Sequence, residues 1–100
     1  MPTPEGVVEK YFLKRCKALG FMCLKFTSPG TRGVPDRVII GHGWTVFVEL
    51  KAPSEGLRRL QQEVIKDMRS HGAIVHVANS KELVDELLAE LIRPPAQLTQ

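Results

Sequence analysis

The sequence predicts an α/β fold, a mixed β-sheet flanked by helices, with elements in the order α-β-β-β-α-β-α. Three observations carry this. Three segments repeat apolar residues at helical spacing, and short apolar or alternating runs lie between them. Two of those runs are separated only by His42-Gly43, the spacing of a tight hairpin turn. With 100 residues the chain is the size of one domain. We assign that domain to residues 1–92 and expect 93–100, RPPAQLTQ, to form a flexible tail.

Thr3-Pro4 opens the first helix with a capping hydroxyl followed by proline at the first helical position. The stripe Val8, Tyr11, Phe12, Cys16 and Leu19 carries it to Gly20, a C-terminal stop. Phe21 to Phe26 alternates as a short strand, and SPGTRGVP is a loop. The runs DRVIIG and WTVFVELK form the hairpin. From Leu57 to about His71, a helix places Leu57, Leu60, Val64 and Met68 on one stripe and stops at Gly72. AIVHVAN is a strand reached by a helical crossover, so it should run parallel to a hairpin strand. Asn79-Ser80 caps a last helix bearing Leu83, Val84, Leu87, Leu88 and Leu91.

Composition narrows the class. No stretch approaches the roughly 18 apolar residues of a membrane span. The start MPTPEGVVEKYF lacks the basic and apolar regions of a signal peptide, so a cytoplasmic protein is expected. Cys16 and Cys23 read as reduced core thiols, not as a disulfide scaffold or a Cys-x-x-Cys pair. From Lys10 to Arg37 there are seven basic residues (Lys10, Lys14, Arg15, Lys17, Lys25, Arg32, Arg37) against one acid, Asp36. From Ser80 onward two bases, Lys81 and Arg93, face four acids, Glu82, Asp85, Glu86 and Glu90. Either one face meets a polyanion, or these are ordinary solvated helix surfaces.

The hairpin holds the chemistry. Glu49 and Lys51 stand two apart on a strand and therefore share a face. If His42-Gly43 is a two-residue turn, paired positions sum to 85, and Asp36 stands opposite Glu49 on that face. A three-residue turn would make the sum 84 and separate the two carboxylates. Adjacent carboxylates repel unless a cation or a proton lies between them. An oxygen-only ligand set with room for water suits Mg²⁺ or Mn²⁺. Such an ion binds phosphate oxygens and activates water, and Lys51 could orient that water or neutralise the phosphate. The alternative is a rim ion pair between Glu49 and Lys51, with Asp36 merely capping a turn.

Pro35-Asp36 and Glu49-Leu50-Lys51 resemble the signature of the PD-(D/E)xK nucleases, whose core is restriction-endonuclease-like. More narrowly, KFTSPGTRGVPDR, FVELKAP and the following LRRLQQE resemble the virus-type replication-repair nuclease (VRR-NUC) group over most of the chain. That resemblance implies a metal-dependent DNA endonuclease with Asp36, Glu49 and the Leu50 backbone carbonyl as metal ligands and Lys51 in catalysis. It implies a catalytic glutamate on the first helix, assigned to Glu9, eleven residues before Gly20 as in related junction resolvases, with Glu5, one turn earlier, as the alternative. The small stand-alone members resemble Holliday-junction resolvases, which implies branched or junction DNA as partner, a homodimer, no membrane, no organic cofactor, and a bacterial or phage-infected cell. A flap or nicking nuclease and a non-cleaving DNA-binding protein are the alternatives. Gln61 has a separate physical case, since it falls on the inward stripe of its helix and an amide there needs a polar partner; Gln62 points elsewhere. Lys25, Thr27, Ser28, Arg32 and Arg37 flank the site as candidate phosphate contacts, Arg37 alternating away from Asp36. The scattered His42, His71 and His76 are not read as ligands.

Overall fold

The computed structural model describes residues 2–93. Of the expected tail, residues 94–100 lie outside the described residues. Seven elements follow in the predicted order: α1 (Pro4–Ala18), β1 (Met22–Lys25), β2 (Arg37–Gly41), β3 (Trp44–Leu50), α2 (Arg59–Ser70), β4 (Val75–Ala78) and α3 (Lys81–Leu91).

The helix ends obey local chemistry. The Thr3 hydroxyl accepts from the Gly6 N–H, and the Ser80 hydroxyl accepts from the Leu83 N–H. Gly20, with φ +82°, follows the Leu19 cap of α1. His42 and Gly43 both have positive φ, 53° and 84°, as a primed two-residue turn requires. The His42 ring lies 2.6 Å from the Leu19 carbonyl oxygen and 4.8 Å from the Phe21 ring, which ties the turn to the end of α1.

The strands lie in the order β1-β2-β3-β4. The first three are antiparallel neighbours, and β4 runs parallel to β3. This is the geometry expected of a strand that returns through a helical crossover. One face of the sheet presents Ile39, Val46, Val48, Leu50 and Ala78 to Val8, Phe12 and Cys16 of α1 and Val84, Leu87, Leu88 and Leu91 of α3. The broad apolar stripe of α3 is thus largely absorbed by the core. Both cysteines are free thiols, Cys16 buried and Cys23 half-buried.

The opposite face is covered only in part, by α2 beside β4. The stripe of α2 differs from the expected one. Ile65 is buried and Gln61, Val64 and Met68 are half-buried, whereas Leu60 is 47% exposed. The helix is rotated by about one residue so that Gln61 meets β3, and Leu60 instead rests against Gly33, where an added Cβ would lie 3.2 Å from its Cγ.

Candidate active site

The hairpin register decides the site. Arg37 pairs with Val48 and Gly41 with Trp44, both pairs summing to 85. Asp36 is the residue before β2, so it continues that register opposite Glu49. Two hydrogen bonds fix the pair: the Asp36 N–H donates to Glu49 Oε1 at 3.2 Å, and the N–H of Leu50, next to Glu49, donates to Asp36 Oδ1 at 3.3 Å.

Glu49 and Lys51 are 5% and 7% exposed, and they are the buried charged residues among those described. Lys51 Nζ lies 3.6 Å from Glu49 Oε2. Gln61 Nε2 donates to the same oxygen at 3.2 Å, while Gln61 Oε1 accepts the Arg58 N–H at 3.0 Å. The amide therefore ties the first turn of α2 to β3, and it has the polar partner its position demands. Gln62 turns away, to the Leu57 carbonyl.

Both carboxyls hold protons more tightly than usual. Burial pushes Glu49 up to about 6, with the Asp36 charge adding to the effect and Lys51 opposing it. Burial also raises Asp36, against the Leu50 N–H and the Arg37 guanidinium, and the Glu9 charge raises it further. A pair of desolvated carboxylates answered by one ammonium is a site short of positive charge. Its donor set fits a hard divalent cation, which Asp36, Glu49 and the Leu50 carbonyl could hold. Among the described residues no group of three or more His, Cys, Asp or Glu side chains is arranged to hold a metal.

Glu9 approaches from α1. Arg37, which alternates onto the α1 face of the sheet, places Nη2 3.7 Å from Glu9 Oε2. Glu5, one turn earlier, makes no hydrogen bond or ion pair among the described residues. The Arg37–Glu9 pair was not legible in the sequence, because it joins a helix and a strand 28 positions apart without a local signal. Lys25 pairs with Arg37 in the sheet, on the face opposite Asp36, and is exposed. Thr27 and Arg32 are exposed and Ser28 is half-buried in the loop before Asp36. None of these four hydrogen-bonds or ion-pairs with Asp36, Glu49 or Lys51. None of the histidines approaches the carboxylates by such a contact either; His71 caps α2 through the Asp67 carbonyl.

A mixed four-stranded sheet bearing this acid-acid-lysine rim defines the restriction-endonuclease-like class. A solved structure described as a VRR_NUC domain matches it with a TM-score of 0.79 and 34% identity, covering 87% of this chain and 96% of that one. The chain belongs to the VRR-NUC domain family. In sequence, "Putative nuclease p44" of Acyrthosiphon pisum secondary endosymbiont phage 1 is 44% identical over 52 residues. That match spans 51% of this chain and 56% of the phage protein, little more than half the length of either. No protein-family model matches the chain.

Proposed function

We propose that the protein is a Mg²⁺- or Mn²⁺-dependent, structure-specific DNA endonuclease that hydrolyses phosphodiester bonds in branched DNA, in the manner of a Holliday-junction resolvase. The observation that carries this reading is the juxtaposition of Asp36 and Glu49, fixed by the Asp36 N–H on Glu49 Oε1 and the Leu50 N–H on Asp36 Oδ1, with Lys51 buried beside them. A cation held by Asp36, Glu49 and the Leu50 carbonyl would supply Lewis-acid chemistry to the phosphate and to water. Glu49 is oriented for that task by Gln61, and Lys51 Nζ is held beside it to neutralise the phosphate and to orient or deprotonate the attacking water. Glu9, steadied by Arg37, extends the acidic rim toward α1. Lys25, Thr27, Ser28, Arg32 and Arg37 would contact phosphates around it. The family membership and the phage relative support a nuclease, and the relative favours a setting of phage DNA repair or replication in an infected bacterium.

Cutting both strands of a four-way junction symmetrically takes two sites, hence two copies of the chain. The uncovered half of the sheet supports a homodimer. Met22, Leu24 and Ile40 there are 59%, 44% and 40% exposed, beside the edge-to-face pair Phe26–Phe47.

The test is cleavage of labelled four-way junction, flap, single-stranded and linear duplex DNA with Mg²⁺, Mn²⁺ or EDTA, alongside Asp36→Ala. We expect paired metal-dependent cuts across the junction that fall by at least about a thousandfold in the variant, in line with removing a group that sets up the reactive charge. Cuts confined to flaps or single strands would assign a monomeric repair nuclease instead. Tight junction binding with no cutting by the unmutated protein would leave a DNA-binding protein on a nuclease fold.

A further inference from the structure

On the flank of α1 away from Glu9, a cavity of about 330 Å³ opens between the start of α1 and the start of α3. Gly6, Val7, Lys10, Tyr11 and Lys14 line it from α1 and Lys81 lines it from α3. The α1 residues lie at i, i+1, i+4, i+5 and i+8, one continuous face of a helix. No acid lines the cavity. Lys10, Lys14 and Lys81 make no ion pair among the described residues, so three ammonium groups with no direct carboxylate contact ring one opening.

The floor is apolar and built. Val7 is an exposed apolar residue, and the Tyr11 ring is locked in place because its hydroxyl donates to Asp85, 2.7 Å from Oδ1 and 2.8 Å from Oδ2. Asp85 also meets Arg15 Nε at 3.4 Å, which offsets part of its charge. Lys81 Nζ sits over the Tyr11 ring, 5.4 Å from its centre, so a cation already faces that floor and would shift to a phosphate when a base enters. An aromatic floor under a cationic rim is the recognition chemistry of a nucleotide: the ring stacks a base and the ammonium groups take its phosphates. The volume, at the small end of ligand sites, matches one nucleotide and not a helix.

We propose that this α1–α3 cavity binds one unpaired nucleotide of a single-stranded DNA segment, with the base against Tyr11 and Val7 and the flanking phosphates on Lys10, Lys14 and Lys81. The proposal rests on the nuclease reading and adds to it a reason for preferring branched DNA. A base can enter a cavity only when it is out of the stack, as at a branch or a flap. Glu9 and Tyr11 point to opposite flanks of α1, about one helix width of ~10 Å apart. A strand crossing the exposed face of α1 would run from the cavity toward Glu9.

The experiment uses the full chain in EDTA with a fluorescein-labelled thymidine 9-mer (roughly the site size of one small binding fold), read by anisotropy across a salt series. A variant carrying Lys10→Gln, Lys14→Gln and Lys81→Gln, all exposed positions, should bind the strand at least tenfold more weakly. Its slope of log affinity on log salt should shrink by about 2. A strand carrying 5-iodouracil should photo-crosslink to Tyr11, the single tyrosine of the chain, as located by peptide mass spectrometry. Binding by the triple variant equal to the unmutated protein, or crosslinks that leave Tyr11 untouched, would overturn the pocket. If the unmutated protein cuts no DNA yet binds the strand through these lysines, the nuclease reading fails and the pocket stands. If Asp36-dependent cutting is present and binding ignores the lysines, the pocket fails alone.

Discussion

Glu49 is an acid kept where an acid is costly, and its titration reports the site. Its carboxyl rises from an ordinary 4.5 to about 6 in the folded protein, because burial penalises the charged form. The folded state therefore binds more protons than the unfolded chain between those two values. Stability that this group contributes below pH ~4.5 is lost as pH rises to ~6, a cost of about 2 kcal/mol in the absence of a divalent ion. Urea unfolding of the metal-free protein from pH 4 to 8 should show that loss, and Glu49→Gln should remove it. A divalent ion needs the ionised form, so Mn²⁺ affinity measured by calorimetry should fall about tenfold per pH unit below ~6. The Gln61 amide donates to Glu49 Oε2, the oxygen that Lys51 also approaches. Gln61→Ala should weaken metal affinity about 10- to 100-fold, the usual effect of losing a group that orients a ligand, with the fold retained. An unchanged affinity would reduce Gln61 to a cap of α2.

At the level of elements, the hairpin is the part on which the site depends. Strand side chains alternate with period two, so one residue added to the His42-Gly43 turn would slip the register and send Glu49 to the face opposite Asp36. Such an insertion should abolish metal binding and cleavage while circular dichroism still reports a mixed α/β protein. Gly43 itself has open space around it, so replacement by alanine tests conformation alone. With φ at +84°, Gly43→Ala should cost about 1 kcal/mol, read as a lower urea midpoint, with the residues of the site untouched. The rotation of α2 belongs to this level too. Its stripe could be read with Leu60 or with Ile65 inward, since both make a helical apolar face. The choice fell to Ile65 because Gln61 reaches Glu49 and Leu60 finds Gly33, contacts with partners distant in sequence.

For the whole molecule, layers are unequal. Two helices close one face of the sheet over a continuous core, whereas one helix covers only the β4 side of the other face. The remaining half carries Met22, Leu24 and Ile40, which a solitary domain has no use for exposing together. The double variant Met22→Lys, Leu24→Glu should convert a dimer to a monomer in light scattering and should leave a junction cut on one strand per encounter. A monomeric unmutated protein at micromolar concentration would remove this face as the dimer contact. Among the described residues no helix is long and apolar enough to cross a membrane.

Much of this protein is written locally. Helix caps at Thr3 and Ser80, the glycine turn, the parallel return of β4 and the facing of Asp36 with Glu49 all follow from period, spacing and turn chemistry, which act over a few residues and so can be read along the chain. The approach of Glu9 to the site through Arg37, the rotation of α2, the bare half-sheet and the lysine-ringed cavity over Tyr11 were settled only by folding. Each depends on how separate elements pack, and packing couples residues whose distance along the chain leaves no periodic trace. Glu5 and Glu9 share a helix flank and look alike in sequence. What distinguishes them is a guanidinium on a neighbouring strand, 3.7 Å from one of them.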